Sequence, residues 1–306
     1  MADILVRPVP LETAIGGGVL LNSDPIQVVT GGIACNAGIA MARLGMKVAA
    51  FSYVGQDLWG DLIRQRLEAE GVGCHRLLRH PHAPTSTTAV LIDPGGERSF
   101  IHCVGAPKLM TGPLFREHLD LFDRSRMMLL GYYSLMPNLE SDLPDVLAAI
   151  RQTGCRTALD AAGSGGRMQP LDRILPQLDV YVPSRAEAAQ QTGQSEPRAI
   201  IDAFRACGAP GLLGVKLGAQ GALLSPTAGE FVTIPCVPPP GPIVDTTGAG
   251  DAFYAGLLTG LLCGLSCGDA GRLGAAAGAC CVTGLGASAG LRDFSQTARL
   301  AGLQGS

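Results

Sequence analysis

The residues in this sequence that are best suited to chemistry lie in one stretch, VDTTGAGDAFYAGLLTGLL, from Val244 to Leu262. A short apolar strand end passes through the small residues Gly248, Ala249 and Gly250 into an apolar helix, so their backbone N–H groups can approach a ligand closely. N–H groups at a helix N-terminus favour an anion. Asp251 follows in the first helical turn, and a general base beside an anion site indicates phosphoryl transfer to a hydroxyl group. An ordinary glycine turn with Asp251 at the helix start remains an alternative.

Two further glycine-rich segments are expected near this stretch. GGIACNAGIAMARLG, from Gly31 to Gly45, begins with a flexible glycine pair, and Asn36 is predicted to open a helix of small residues that Gly45 closes. The loop from Lys216 to Gly221 has two glycines at which a nucleotide could pass close to the backbone. In a parallel α/β sheet, ligands bind at the carboxyl ends of the strands, where loops lead into helix N-termini. The three segments together therefore predict one ligand site, although each glycine turn alone is a weak indication.

Composition and charge argue against several classes of function. The chain has 306 residues, of which 47% are hydrophobic, enough for one large α/β domain or for two domains. A net charge of −3 without a Lys/Arg run argues against nucleic acid as a partner. The uncharged run of residues 252–268 is interrupted by glycines and is short for a membrane span. No signal-peptide pattern opens the sequence and the ten cysteines form no CxxC pair, so we expect a cytoplasmic protein with free thiols.

Strand and helix patterns alternate through most of the chain, which predicts a mostly parallel sheet covered by helices on both faces. Residues 85–104 differ, because TSTTAVLID and ERSFIHCV are two alternating strands joined by Pro94-Gly95-Gly96, a hairpin signal. Together with strands at about 3–10 and 19–30, this hairpin is expected to form a small β lid over the site. No composition break marks a second domain, so we expect residues 1–306 to form a single domain.

Two motifs carry a resemblance to a known family. They are DTTGAGDAF (Asp245 to Phe253) and GGIACNAG (Gly31 to Gly38). They resemble the C-terminal and N-terminal signatures of the ribokinase-like (PfkB) carbohydrate kinases, and the resemblance runs from Asp3 to about Phe294. It implies a three-layer α/β/α sandwich with a small β lid. It also implies transfer of the γ-phosphoryl group of ATP to a hydroxymethyl group of a sugar or a related alcohol.

The resemblance assigns roles to individual residues. Asp251 matches the catalytic base of the family, and Gly248, Ala249 and Gly250 match the anion hole that stabilises the transferred phosphoryl group. The residues that match its contacts to substrate hydroxyls are Asp3, Gly31, Gly32 and Asn36. An acidic residue suits such a contact, since a carboxylate can accept two hydroxyl protons at once. The residues that match its nucleotide-binding positions are Lys216, Gly218, Gly221 and Ser184.

The same resemblance implies ATP and Mg²⁺ as cofactors, with a monovalent cation such as K⁺ as a further candidate. Glu187 matches a glutamate that organises Mg²⁺ through water. The residues near the positions of the family's monovalent-cation loop are Asp245, Thr247, Cys281, Gly284 and Gly286. Ser184 stands where the family usually has Asn, and Gly290 stands where some members have Ser, so both metal sites depart from the usual pattern.

The N-terminal end of the chain departs most from the sequence pattern of the family. Members carry a core strand and a glycine before the substrate-binding Asp, whereas only Met1 and Ala2 precede Asp3. Because the interval from Asp3 to Gly31 has about the family's spacing, we expect the first core strand to be absent. In an alternative interpretation Ile4–Val9 is that strand, and Asp3 then has no role in the site. An absent central strand would leave the edges of its two neighbours unpaired and an apolar gap between them.

Other functions remain open at this stage. A nucleoside kinase of the same fold would share every motif above, and Tyr132, Tyr133 and Phe100 could stack on its base. A non-catalytic sugar or nucleotide sensor is favoured by Ser184 and by the short front. A dinucleotide-dependent oxidoreductase has little support, since no GxGxxG follows a first strand with an acidic residue about 20 positions on. The predicted partner is therefore a small sugar or nucleoside, and the apolar alternation of the lid hairpin also suggests a homodimer through the lid.

Overall fold

Strands and helices alternate along most of the chain in the computed structural model, which describes residues 1–12, 18, 20–161 and 167–303. The strands are β1 (Ala2–Val6), β2 (Gln27–Thr30), β3 (Ala49–Gly55), β4 (Gly73–His80), β5 (Thr87–Ile92), β6 (Arg98–Cys103), β7 (Met127–Gly131), β8 (Arg156–Asp160), β9 (Val180–Tyr181), β10 (Leu212–Lys216), β11 (Ala222–Ser225) and β12 (Val232–Ile234). The helices are α1 (Ile33–Arg43), α2 (Leu58–Ala69), α3 (Gly112–Glu117), α4 (Leu119–Asp123), α5 (Pro137–Glu140), α6 (Leu143–Gln152), α7 (Met168–Ile174), α8 (Arg185–Thr192), α9 (Pro197–Ala206), α10 (Ala249–Leu262), α11 (Cys267–Cys281) and α12 (Phe294–Leu300).

The main sheet has six strands in the order β12-β11-β10-β9-β8-β7. The strands β7 to β10 pair in parallel, and β11 and β12 add an antiparallel edge. Successive residues of a strand point to opposite faces of a sheet. Leu159 and Leu213 accordingly pack in one core cluster with helices α6 and α9, whereas the preceding residues Ala158 and Leu212 pack in another with helix α10. Helices therefore cover both faces, which confirms the predicted three-layer α/β/α sandwich.

The lid is a separate sheet of four strands in the order β2-β1-β5-β6. The strands β5 and β6 form the predicted antiparallel hairpin, and Gly96 adopts a positive φ of 89° in its turn. The strand predicted at about 19–30 begins only at Gln27, since the preceding Asn22-Ser23-Asp24-Pro25 has turn chemistry and Pro25 cannot donate to a strand ladder. Residue 19 lies outside the described residues.

A cleft separates the main sheet from a small third sheet. Within the described ranges, strands β3 and β4 pair only with each other, and β7 ends the six-stranded sheet. Residues 49–52 of β3 and 127–131 of β7 line the same cleft, which has a volume of about 890 Å³. The expected absence of a core strand stays a prediction, as do the predicted bounds of a single domain.

The structure also shows the state of the cysteines and the packing of the apolar helices. All ten cysteines are free thiols, and Cys35, Cys155 and Cys280 are among the buried ones. Across the described ranges, no helix is both long enough and apolar enough to cross a bilayer. The longest apolar helices, α10 and α11, instead pack against each other.

Candidate active site

Asp251 is held at the start of α10 by a turn that requires glycine. Gly248 caps the helix with a φ of 76°, in the left-handed region that side chains other than glycine rarely adopt. A Cβ at this position would also lie 2.3 Å from the Cβ of Ala287, so both backbone and space exclude a larger residue. The turn therefore places the buried Asp251 in the first helical turn, beside the free N–H groups.

Two side chains from other elements hold the carboxylate of Asp251. The Nδ2 of Asn36, on α1, donates to Oδ2 at 2.7 Å, and the Tyr132 hydroxyl donates to the two oxygens at 3.2 and 3.3 Å. Burial raises the pKa of Asp251, and Asn36, Lys216 and Tyr132 partly oppose that shift. The result is a fixed carboxylate that is more basic than one in water, which is the property that a general base needs.

The N–H groups at this helix start form a small anion site. Within the described residues, the amides of Gly248 and Gly250 meet no acceptor of the chain. The amide of Ala249, predicted as the third donor, instead lies 3.3 Å from the carbonyl oxygen of Thr246. A Cβ built on Gly250 would lie 3.5 Å from the Lys216 ammonium, so a cation stands beside the amides. Two amides, a helix N-terminus and a lysine together favour a phosphoryl group.

Asp3 faces the same site from the lid. Its Oδ1 atom is buried and has no hydrogen-bond partner in the described part of the chain. A Cβ at Gly31 would lie 1.9 Å from the Asp3 Oδ2, so only glycine leaves room for this carboxylate. Burial raises the pKa of Asp3, against the charge of the N-terminal amino group and a hydrogen bond with Thr88. A buried acceptor without a partner is suited to a ligand hydroxyl.

A cavity of about 200 Å³ joins the lid side and the helix side of the site. It is somewhat larger than the roughly 150 Å³ cavity that accommodates benzene in an engineered protein. The predicted site residues that line it are Asp3, Gly32, Asn36, Asp245, Thr247, Gly248, Asp251 and Gly286. The size fits a small molecule, and Asp3, Asn36 and Asp251 supply polar groups in a lining that is otherwise largely apolar.

Three residues at this site were missed by the sequence analysis or given another role. Tyr132 was considered as a stacking aromatic, yet its hydroxyl reaches Asp251, and it adopts a positive φ of 64°, which is strained for tyrosine. Arg98 reaches the cavity from the lid hairpin, and Asp160 at the end of β8 pairs with Lys216. An aspartate that ends a strand of a parallel sheet is a signal that could have pointed to Asp160.

Lys216 and Asp160 form a buried ion pair behind the anion site. The Lys216 Nζ lies 2.9 Å from Asp160 Oδ1 and 5.3 Å from the centre of the Tyr254 ring. Burial raises the pKa of Asp160 to about 7, although Lys216 opposes it. Burial alone would lower the pKa of Lys216, but Asp160 and Glu187 outweigh burial and the pKa is raised. Lys216 therefore stays positively charged beside the amides at which a phosphoryl group would bind.

The predicted nucleotide loop lies next to Lys216. Gly218 and Gly221 have positive φ values of 59° and 87°, and a Cβ at Gly221 would lie 2.0 Å from the Ile234 carbonyl oxygen. Ser184 forms an isolated β-bridge with Lys216. Ser184 and Glu187 also form a capping box, in which Glu187 Oε2 accepts the Ser184 N–H at 2.8 Å. One carboxylate oxygen of Glu187 thus has a structural role.

The residues predicted for a monovalent cation come together around the turn before α10. Asp245 Oδ1 accepts the Thr247 N–H, and Oδ2 accepts the Gly286 N–H, each at 2.8 Å. The Cys281 thiol donates towards the Thr247 carbonyl oxygen at 3.5 Å. Gly284 lies at the edge of this group, where a Cβ would meet the Gly290 amide at 2.4 Å. The residues predicted to bind a monovalent cation therefore form one cluster. Whether a cation fits there depends on the position of Arg98.

Replacing Asn36 by alanine is expected to shift the acid limb of the pH profile of kcat/KM upwards by about one pH unit. The Asn36 amide stabilises the charged form of Asp251, so its loss raises the pKa of that carboxyl further and keeps the base protonated to a higher pH. The measurement is kcat/KM against pH, with Asn138→Ala as the exposed control on α5. If the acid limb of the Asn36→Ala profile is unchanged, the ionisation that limits kcat/KM at low pH does not belong to Asp251.

Comparison with known proteins adds to this geometry. The family model described as pfkB family carbohydrate kinase matches residues 4–293. The chain is 27% identical to the ribokinase of Arabidopsis thaliana over 316 aligned positions, which cover 98% of this chain and 78% of that protein. It is 31% identical to the fructokinase of Klebsiella pneumoniae over 242 positions, which cover 75% and 76%. The structure of Arabidopsis thaliana ribokinase complexed with ribose and ATP matches with a TM-score of 0.83 at 26% identity, covering 100% of this chain and 96% of that chain.

Proposed function

The chain belongs to the pfkB family of carbohydrate kinases, and on that premise we propose that it transfers the γ-phosphoryl group of ATP to a hydroxymethyl group of a small sugar, with Asp251 as the general base. The observation that carries this proposal is the position of Asp251 and Gly248 on one wall of the 200 Å³ cavity, opposite Asp3, whose buried Oδ1 has no hydrogen-bond partner among the described residues. Sugar hydroxyls would be held by Asp3 at one end, and the reacting hydroxyl would meet Asp251 at the other.

The proposed reaction needs a base and a place for negative charge. The carboxylate of Asp251 accepts the proton of the attacking hydroxyl while Asn36 and Tyr132 hold its oxygens in place. The amides of Gly248 and Gly250, with the Lys216 ammonium, stabilise the charge on the transferred group. The lid sheet contributes Asp3, Arg98 and Phe100 to the wall of the cavity, and a lid in this position would limit the access of water.

We propose that ATP lies along the loop from Lys216 to Gly221, where glycines allow close approach of a nucleotide. Mg²⁺ typically keeps several waters and binds through one or two carboxylates together with substrate phosphates. Glu187 suits such a water-mediated contact, since its capping role engages one carboxylate oxygen. No cluster of three His, Cys, Asp or Glu side chains among the described residues could hold a metal, so waters and the phosphates would supply most of the ligands. When bound, Mg²⁺ would offset phosphate charge.

An ADP-release screen with ATP and Mg²⁺ against pentoses, hexoses, sugar acids and nucleosides tests the proposal. We expect release with a sugar and none in the absence of an acceptor. The Arabidopsis thaliana relative was solved with ribose and ATP, so ribose is a suitable first substrate. Tight binding of a sugar or nucleotide without ADP release would favour a non-catalytic sensor, which the Ser184 substitution of the family Asn also favours.

A nucleoside kinase is the second candidate, and Phe100 is the observation that favours it. The Phe100 ring is 62% exposed and lines the cavity, so it could stack on a base. Tyr133, which was also considered for stacking, is instead buried in the main core cluster. Release of ADP with nucleosides and not with sugars would replace the sugar kinase proposal.

We also propose that two copies associate through the lid. The strand β6 ends the lid sheet, and its Phe100 and Ile101 are 62% and 66% exposed. An exposed apolar edge strand is a template for pairing with another chain. Sedimentation of the protein and of Ile101→Lys checks this, since a charge on the edge strand should convert a dimer to a monomer. A monomer in the unaltered protein would rule out association at this edge.

A further inference from the structure

The lid and the anion site are joined by one side chain, Arg98. It is the first residue of β6, and its guanidinium crosses the cavity edge to the turn that precedes α10. The Nη2 donates to Asp245 Oδ1 at 2.6 Å, and the Nη1 donates to the Thr247 hydroxyl at 2.7 Å. Asp245 is 4% exposed, so this ion pair is largely shielded from water on the acidic side. Such a charge-assisted contact fixes the lid sheet against the turn before α10.

Both carboxylate oxygens of Asp245 already accept hydrogen bonds from other groups of the chain. Thr247 and Gly286 donate their N–H groups to the two carboxylate oxygens, and Arg98 adds a full positive charge. Burial alone would raise the pKa of Asp245, but these N–H groups and Arg98 outweigh burial and the pKa is lowered. The carboxylate is therefore charged and its charge is balanced within the protein.

A monovalent cation does not fit this arrangement. Such an ion needs oxygen ligands that are free of other cations, and the guanidinium already occupies the side of Asp245 that faces the lid. A second positive charge placed next to it would be repelled. The nearby Thr247 and Ala287 carbonyl oxygens lie 3.5 and 3.3 Å from the Cys281 thiol, which is a donor and not a cation. The cluster expected to bind K⁺ thus contains its own cation.

We propose that Arg98 is a positioning residue that takes the place of a monovalent cation. Its guanidinium fixes Asp245 and Thr247, and through them the Gly248–Gly250 turn. Because Arg98 belongs to the lid, the anion site is fully ordered only when the lid lies over the cavity. The inference rests on the proposed kinase function for its effect on turnover, whereas its effect on the stability of the turn does not depend on that function.

The test compares the unaltered protein with Arg98→Ala and Arg98→Lys in KCl and in choline chloride at equal ionic strength. Turnover is measured by ADP release, and melting temperature is measured in the same salts without substrate. Arg124→Ala is the control, since Arg124 forms an exposed ion pair with Asp120. Millimolar guanidinium chloride, far below denaturing concentrations, serves as a second rescuing cation for Arg98→Ala.

We expect the unaltered protein to have the same turnover and melting temperature in both salts. In choline chloride, Arg98→Ala should lose about a hundredfold in turnover. Its melting temperature should fall by roughly 5 °C, because Asp245 is left buried and unpaired. KCl or guanidinium should restore part of both losses, while Arg98→Lys, which keeps the charge but loses the two-pronged contact, should lie between the two proteins.

Three results would overturn the inference. The first is a specific requirement of the unaltered protein for K⁺ in turnover or in melting temperature. The second is an Arg98→Ala protein that behaves like the Arg124→Ala control. The third is a loss in Arg98→Ala that neither cation restores. If no acceptor gives ADP with the unaltered protein, the proposed function fails, and the melting temperatures still decide the role of Arg98.

Discussion

Replacing Asp251 by asparagine is expected to lower turnover by about a hundredfold to ten-thousandfold while the protein stays folded. Asparagine keeps the size of the side chain and an oxygen that can accept from Asn36 and Tyr132, so the packing at the start of α10 is retained. It cannot take up the proton of the attacking hydroxyl. Removal of a buried carboxylate whose pKa burial raises also costs no stability by itself.

Turnover of Asp251→Asn is measured by ADP release at saturating sugar and ATP, beside nucleotide affinity and melting temperature. The control is Asp202→Asn, which removes an exposed carboxylate from α9. We expect nucleotide affinity and melting temperature to stay close to those of the unaltered protein in both variants. Turnover in Asp251→Asn within a few-fold of the control would exclude Asp251 as the base.

Replacing Lys216 by methionine is expected to destabilise the fold by about 3–5 kcal/mol and to reduce turnover strongly. Methionine fills a similar volume, but it leaves the fully buried Asp160 without its cation at 2.9 Å. The phosphoryl group also loses the positive charge that lies beside Gly250. Both effects have one cause, the loss of a buried ammonium, yet they can be separated.

The double variant Lys216→Met/Asp160→Asn separates stability from turnover. It carries no unpaired buried charge, so it should recover much of the lost melting temperature but little of the turnover. Lys108→Met is the matched control, since Lys108 is exposed and is one of only three lysines in the chain. Full turnover in the double variant would mean that Lys216 serves the fold and not the reaction.

Local sequence patterns were sufficient for the parts of the site that depend on backbone conformation. The small residues before Asp251 predicted a turn into a helix, and Gly248 has the positive φ that such a turn requires. The Pro94-Gly95-Gly96 signal predicted the lid hairpin for the same reason, because turn residues act over a few neighbouring positions. The helix after Gly31 was predicted only in part, since it begins at Ile33, three residues before the predicted start at Asn36.

Contacts between distant segments could not be read from the sequence. Lys216 and Asp160 are 56 positions apart, and Arg98 and Asp245 are 147 apart, so no spacing rule links either pair. The left-handed backbone of Tyr132 is likewise imposed by the fold, as local preference would give tyrosine another conformation. These are the contacts that set the charge of the site, and only the packing of the sheets brings them together.

The cleft between β3 and β7 bears on how the protein behaves in concentrated solution. Among the described residues, β3 pairs only with β4 and β7 only with β8, so each strand has one unpaired edge, and residues of both strands line the cleft. Such edges pair readily with extended segments of other molecules. Pairing between molecules rises with concentration, so losses to precipitation should grow as a purified sample is concentrated. Dilute storage is therefore a practical way to keep the protein in solution.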